Sequence, residues 1–181
     1  MLRKEDAVMV VVDIQDVLLP KDEKVVAAYL QQAERMIRVV RALDIPILVT
    51  EQYPERLGTT NEGIRAALGD VPALPKMAFG CLGDDAFKEA LAATGRRQLL
   101  VVGMEAHVCV LQTVLEALAA DYEVFLVADA IVSSRKREYK AGMARMTQAG
   151  AQSVTAEMAI FELLRKAGTP EFKQVLPLIK G

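Results

Sequence analysis

Short apolar runs alternate with stretches of helical periodicity along the whole chain. The apolar runs predict six strands, at residues 7–14, 47–50, 73–76, 99–102, 123–129 and 151–155. Between them, apolar residues recur every three or four positions and predict helices near residues 25–40, 62–68, 84–94, 107–118, 135–149 and 156–167, with a helical tail from residue 170. Strands that alternate with helices imply a parallel sheet covered by helices on both faces.

The strand order expected for such a chain brings two distant segments together. For six strands the common order is 3-2-1-4-5-6, which gives a three-layer α/β/α sandwich with the first and fourth strands side by side. Their outgoing loops diverge to opposite faces and open a crevice at the carboxyl edge of the sheet. Asp13 leaves the first strand there, and Cys109 follows the fourth strand into the same crevice.

The composition is that of one globular domain spanning residues 1–181. The formal net charge is −2 and no basic run occurs, which argues against nucleic acid or an anionic membrane as a partner and favours a small molecule. No apolar stretch approaches the roughly 20 residues that span a bilayer, and residues 1–6 do not have the pattern of a signal peptide. Two cysteines without a Cys-x-x-Cys motif form no disulfide framework, so a cytoplasmic location is expected.

Cys109 is the candidate nucleophile. It falls in the first turn of a predicted helix, where unpaired N–H groups and the helix dipole favour a thiolate. Free cysteines are also among the most buried residues and often only pack, so the position alone leaves both interpretations open. Asp13 is the candidate base, and Lys76, after the third strand, reaches the same sheet edge and can stabilise both the carboxylate and a thiolate.

His107 is the obvious alternative base, but the geometry of a helix argues against it. Residues two positions apart on a helix point to different sides, so His107 and Cys109 do not face each other. We predict that His107 forms part of the wall of the site and contacts the substrate. The backbone N–H groups of residues 105–109 are the predicted donors to an oxyanion.

Three segments in order resemble the signature blocks of the isochorismatase-like cysteine hydrolases, namely Val12–Gln15, Leu74–Phe79 and Gly103–Cys109. Within that superfamily, Thr50–Pro54, Val127–Ala130 and Phe172-Lys173 are most similar to the isochorismatase-domain-containing proteins. The resemblance implies a Rossmann-like sandwich and an Asp–Lys–Cys triad, which corresponds to Asp13, Lys76 and Cys109.

The same resemblance implies further features of the site. It implies a cis peptide at Met104-Glu105 and an oxyanion hole made by the backbone N–H groups of Glu105 and Cys109. It places Gln15, Gln52 and Phe79 in the substrate pocket, and it implies a homo-oligomer, a dimer or larger.

No cofactor or metal is predicted. The chain has no Gly-x-Gly-x-x-Gly after the first strand and no P-loop. Nicotinamidase-type relatives bind a metal through histidines after the second strand, where this chain has Glu51-Gln52-Tyr53.

We therefore expect a metal-independent cysteine hydrolase that cleaves the C–N bond of a small amide, or alternatively an ester or vinyl ether, through a thioester. Two other functions remain open: a non-catalytic interaction protein that keeps the fold, and a thiol redox protein that uses Cys81 and Cys109. The substrate itself stays open, because the pocket is shaped by loops 16–21, 52–60 and 77–83.

Overall fold

The computed structural model describes residues 1–180 and confirms the predicted parallel sheet. Its strand order is β3-β2-β1-β4-β5-β6 and every paired register is parallel. The strands are β1 (Ala7–Val12), β2 (Ile47–Gln52), β3 (Ala73–Lys76), β4 (Gln98–Met104), β5 (Glu123–Val132) and β6 (Gln152–Val154).

Helices connect these strands in the predicted alternation. They are α1 (Glu23–Ala42), α2 (Pro54–Leu57), α3 (Glu62–Leu68), α4 (Asp85–Ala93), α5 (Cys109–Ala119), α6 (Lys136–Gln148), α7 (Ala156–Leu164) and α8 (Pro170–Lys180). The single turn α2 was not predicted, since four residues are too few to show a helical period; Pro54 at its start fixes the backbone for it. No helix within residues 1–180 is long and apolar enough to cross a membrane.

Two apolar layers hold the helices against the sheet. Met9 and Val11 of β1 join a core on the face covered by α1, α3, α7 and α8, whereas Val8 and Val10 join a core on the face covered by α4, α5 and α6. Every residue of β1 and β4 is buried, as expected for central strands covered on both sides.

A glycine allows the two central strands to end close together. Val12 of β1 pairs with Gly103 of β4, and a Cβ on Gly103 would overlap the carbonyl oxygen of Val12. Gly103 also has a φ of +131°, which residues with a side chain rarely adopt. The segments that follow these strands, which carry Asp13 and Cys109, therefore start as immediate neighbours.

Strand β5 is longer than the apolar pattern indicates. We expected it to end at Asp129, but a register shift opposite Val101–Gly103 lets it continue, so that Val132 pairs with Met104. The carboxylate of Asp129 accepts a hydrogen bond from Ala156 N–H at the start of α7 (2.8 Å) and does not end the strand. The extension supports the turn after β4, because Ala106 N–H donates to the Val132 carbonyl (2.9 Å).

Candidate active site

Asp13 and Lys76 form a buried ion pair across the end of β2. The ammonium Nζ lies 2.7 Å from Asp13 Oδ2, and the two side chains are 1% and 0% exposed. The ammonium also donates to Gln52 Oε1 (2.6 Å) and to the carbonyl oxygens of Phe79 (2.9 Å) and Ala78 (3.1 Å). A buried charge is tolerated only with such compensation, and these partners supply it for the Lys76 ammonium.

The carboxylate of Asp13 is held from two sides. Thr50 Oγ1 donates to Oδ1 at 2.7 Å. Oδ2 forms the ion pair with Lys76 but accepts no well-aligned hydrogen bond. Asp13 itself has a left-handed backbone (φ 49°), a conformation that aspartate tolerates better than most residues. Oδ2 is therefore the oxygen with capacity left for another proton donor.

Cys109 is the first residue of α5 and is 6% exposed. The charges of Asp13 and Lys76 both act on its thiol, the first raising its pKa and the second lowering it. The carboxyl ends of β1, β3 and β4 thus bring together the three residues that we predicted as a triad.

Burial of the Cys109 thiol acts against the helix-stabilised thiolate that we expected. Burial, and next the negative charge of Asp13, raise the pKa of Cys109 to about 12. The charge of Lys76 lowers this pKa, but not by enough to offset the loss of solvation. The sequence shows that Cys109 begins a helix; it does not show how deeply the thiol is buried.

The turn between β4 and α5 leaves several amide groups without a protein acceptor. The Met104-Glu105 peptide bond is cis. The N–H groups of Val108 and Val110 both donate to the Glu105 carbonyl, and Ala106 N–H donates to Val132. Among residues 105–109, the N–H groups of Glu105, His107 and Cys109 donate to no protein acceptor within residues 1–180. Those of Glu105 and Cys109, the predicted oxyanion donors, are therefore available to a ligand.

The two glutamines predicted to line the pocket are bound to protein groups. Gln15 Oε1 accepts from Gln52 N–H (2.8 Å), while its Nε2 donates to the carbonyls of Gln52 (3.0 Å) and Gly58 (2.5 Å). Gln52 in turn donates to the Met77 carbonyl (3.0 Å) and accepts from Lys76. Gln15 is wholly buried and both N–H groups of its carboxamide are donated to backbone carbonyls, so it has no N–H left for a substrate.

Phe79 and His107 are placed differently from the glutamines. Phe79 is 54% exposed, and its own backbone carbonyl accepts the hydrogen bond from Lys76. Its ring is therefore open to a ligand near the ion pair. The ring nitrogens of His107 lie 3.1 Å from Ser133 Oγ and 3.8 Å from Glu105 Oε2. The ring is therefore directed to side chains other than Cys109, in agreement with the helical geometry.

A cavity of about 1110 Å³ opens beside the turn between β4 and α5. Glu105 belongs to its lining, together with residues 17–22 after β1, residues 131–132 at the end of β5, residues 133–135 and the start of α6. Asp13, Lys76 and Cys109 do not line it. The predicted loop 16–21 contributes one wall of this cavity.

The carboxylate of Glu51, near the end of β2, is bound by a threonine. Glu51 Oε1 accepts from the N–H (2.8 Å) and the hydroxyl (2.7 Å) of Thr60. Among residues 1–180, no group of three or more His, Cys, Asp or Glu side chains is arranged as metal ligands.

Sequence reasoning missed Thr50 as a partner of Asp13. The signal that could have identified it is a single polar residue at the end of the buried run Ile47-Leu48-Val49-Thr50. A hydroxyl buried at a strand end requires a partner, and the neighbouring strand supplies a carboxylate there.

The all-parallel sheet and its strand order define a Rossmann-like α/β protein. The chain belongs to the isochorismatase family, because residues 7–158 match the model of the Isochorismatase domain.

Individual relatives agree with this assignment. Isochorismatase domain-containing protein 2A of Mus musculus is 35% identical over 192 residues, which cover 97% of this chain and 84% of the mouse protein. Among solved structures, the MAR1 ribonuclease of Caenorhabditis elegans superposes with a TM-score of 0.89 at 30% identity, covering 99% of this chain and 92% of the other. YcaC of Escherichia coli, described as an octameric hydrolase of unknown specificity, has the same fold, with a TM-score of 0.89 at 23% identity over 98% of this chain and 88% of its own.

Proposed function

We propose that the protein is a cysteine hydrolase that cleaves the carbon–nitrogen bond of a small amide through a thioester. The observation that carries the proposal is the buried ion pair of Asp13 and Lys76, both of whose charges act on the buried Cys109 thiol. A cluster of this kind joins a nucleophile to a base and gives the base a fixed counter-ion.

In the first step Asp13 acts as the general base. Its Oδ2 takes the thiol proton while Cys109 Sγ attacks the carbonyl carbon, so a C–S bond forms and the carbonyl oxygen becomes an oxyanion. The free N–H groups of Glu105 and Cys109 donate to that oxygen. Because the resting thiol is neutral, deprotonation and attack are coupled.

In the second step Asp13 acts as an acid. It returns the proton to the amide nitrogen, the C–N bond breaks, and ammonia or an amine leaves a thioester on Cys109. Water then attacks the thioester while Asp13 accepts its proton. The C–S bond breaks, the acid product leaves, and the proton returns to the sulfur. Lys76 stays within 2.7 Å of Asp13 and stabilises the carboxylate in each ionised state.

The remaining site residues take supporting roles in this scheme. We revise Gln15 from a substrate contact to a residue that positions Gln52, because its carboxamide is occupied by the backbone. Gln52 orients the Lys76 ammonium. Phe79 and His107 remain the side chains that we expect at the mouth of the site.

A thiol redox function is less well supported. Cys81 and Cys109 are both free, and Cys81 is wholly buried. Burial, and next the Asp13 charge, raise the pKa of Cys81 to about 11, so it offers no thiolate for exchange at neutral pH. A non-catalytic interaction protein has no need for a buried ion pair, which is costly to desolvate.

Ribonuclease activity is a second candidate, because structural neighbours such as MAR1 of Caenorhabditis elegans carry that name. For this chain the net charge of −2 and the absence of a basic run argue against RNA as the substrate.

We also propose a homo-oligomer in the cytoplasm. The octameric description of YcaC and the exposed Val17, Met158 and Phe161 support self-association, and the free cysteines support a reducing compartment.

Release of ammonia from a panel of small primary amides tests the proposal. Esters, vinyl ethers and a single-stranded RNA complete the panel. We expect turnover of at least one amide by the wild-type protein and none by Cys109→Ala. Equal turnover by the two proteins, or cleavage of RNA alone, would exclude the proposed reaction.

A further inference from the structure

Three buried residues outside the triad form a chain of polar contacts between Asp13 and Cys109. Thr50 Oγ1 lies 2.7 Å from Asp13 Oδ1 and 3.7 Å from Cys81 Sγ. Cys81 N–H donates to Thr113 Oγ1 (2.9 Å), and the Thr113 hydroxyl donates to the carbonyl of Cys109 (2.7 Å). Thr50, Cys81 and Thr113 are all 0% exposed, so none of them can touch a substrate.

The direction of the hydrogen bonds at Thr50 is fixed by counting protons. A hydroxyl has one proton, and the short contact with a carboxylate requires that this proton point to Asp13 Oδ1. The Cys81 thiol is then the donor in the 3.7 Å contact. The bonds therefore run from Cys81 S–H to Thr50 and from Thr50 O–H to Asp13.

We propose that Thr50 is a positioning residue, which selects Oδ2 of Asp13 as the oxygen that exchanges the proton with Cys109. This inference rests on the proposed function. The Thr50 bond occupies Oδ1 and stops the carboxylate from turning about its Cβ–Cγ bond. It also favours the charged form of Asp13, since a donor to a carboxylate stabilises the anion. Cys81 only supports Thr50, because the Thr50 proton already points to Asp13.

The chain offers a matched set of variants. Thr50→Val removes the hydroxyl at nearly constant volume, and Thr50→Ser keeps it. Cys81→Ala removes the thiol but leaves the Thr50–Asp13 bond in place. Thr50→Ala takes the place of Thr50→Val if that variant does not fold.

The rate at which iodoacetamide alkylates Cys109 shows the effect without any amide substrate. Asp13 Oδ2 has to take the thiol proton as the sulfur attacks the reagent, so a carboxylate that is free to turn slows the reaction. Peptide mass spectrometry follows the modification of Cys109 at neutral pH, with Asp13→Asn as the reference for a protein without the base. We expect the rate to fall about fivefold in Thr50→Val, and to stay unchanged in Thr50→Ser and Cys81→Ala.

Amide hydrolysis supplies the second readout. We expect kcat to fall about tenfold in Thr50→Val with KM nearly unchanged, and to recover in Thr50→Ser. An unchanged alkylation rate in Thr50→Val, or an equal loss in Cys81→Ala, would overturn the positioning role whether or not the amide reaction is found. Slower alkylation of Thr50→Val in a protein that hydrolyses no amide would keep the Thr50–Asp13 coupling and remove the proposed reaction instead.

Discussion

Two ion pairs of nearly equal length differ completely in their surroundings. Lys76 and Asp13 meet at 2.7 Å with side chains 1% and 0% exposed, whereas Lys88 and Asp85 meet at 2.6 Å with side chains 50% and 87% exposed. The surface pair joins neighbouring turns of α4 and has water around it. The buried pair joins β1 to β3 and depends on Thr50, Gln52 and two carbonyl groups for the solvation that water would provide.

The difference shows that the short distance of an ion pair says little about its role. Exposed pairs contribute little to stability because water and salt screen them. A buried pair is costly to desolvate, and apolar residues of the same size often stabilise a fold as well. The burial of Asp13 and Lys76 is therefore better explained by chemistry at Cys109 than by stability of the sheet.

Breaking one partner of the buried pair should have the largest effect. We expect Asp13→Asn and Lys76→Met each to abolish hydrolysis and to lower the free energy of unfolding by about 3–5 kcal/mol, because each leaves a polar group buried without its partner. Urea denaturation provides the measurement.

The surface pair is the matched control for this experiment. Asp85→Asn and Lys88→Met should leave both the unfolding midpoint and the activity unchanged, since water replaces the lost partner. Similar losses in the buried and exposed variants would show that burial does not distinguish the two pairs.

Gly103→Ala extends the comparison to the backbone, because Gly103 allows β1 and β4 to end close together. The new Cβ meets the Val12 carbonyl and the φ of +131° strains it, so we expect a loss of about 2–4 kcal/mol. Gly95→Ala is the control, since Gly95 also has a positive φ (+64°) but no atom within 4 Å of a Cβ. Thermal unfolding of both variants checks this; the close approach of β1 and β4 is unimportant if Gly95→Ala is equally damaging.

High pH should weaken the buried cluster. The pKa values of Cys109 and Cys81 are raised to about 12 and about 11, above the ordinary value of 9.0. Above about pH 9 the unfolded chain releases thiol protons that the folded chain keeps, so the free energy of unfolding falls with pH by up to about 1.4 kcal/mol per unit for each thiol.

Cys109→Ala tests the assignment of this pH dependence. Urea denaturation from pH 8 to pH 10.5 should give a shallower decline in Cys109→Ala than in the wild-type protein. Identical slopes would mean that the folded state does not hold the Cys109 proton more tightly than the unfolded chain does.

A chelator should have the smallest effect. The Glu51 carboxylate is bound by Thr60, and no histidine follows β2 to complete a metal site. We expect dialysis against EDTA to leave the activity and the unfolding midpoint unchanged. Activity that is lost on dialysis and restored by zinc would contradict this interpretation of the loop after β2.

The sequence predicts the frame of the molecule well, because buried parallel strands appear as continuous apolar runs. The same pattern misses what depends on contacts between strands. It ends β5 at Asp129, since a charged residue in an apolar run looks like a boundary, but the carboxylate is used by the first turn of α7. It cannot show the register shift that carries β5 on to Val132.

The site shows the same division between what is local and what is not. Asp13, Lys76 and Cys109 could be chosen from strand ends and from family resemblance. The protonation of Cys109 could not, because it depends on how many atoms cover the sulfur. The roles of Gln15 and Thr50 also depend on neighbouring strands, which supply the groups that occupy their polar atoms.

Mass spectrometry of the acid-quenched enzyme offers the most direct test of Cys109 as a nucleophile that depends on Asp13. The protein is mixed with an amide that it hydrolyses, quenched within one turnover, and digested for peptide analysis. We expect the acyl mass on the peptide that contains Cys109 in the wild-type protein, and none in Cys109→Ala or Asp13→Asn. Product formation without an acyl group on Cys109, together with undiminished turnover by Cys109→Ala, would show that the thiol is not the nucleophile.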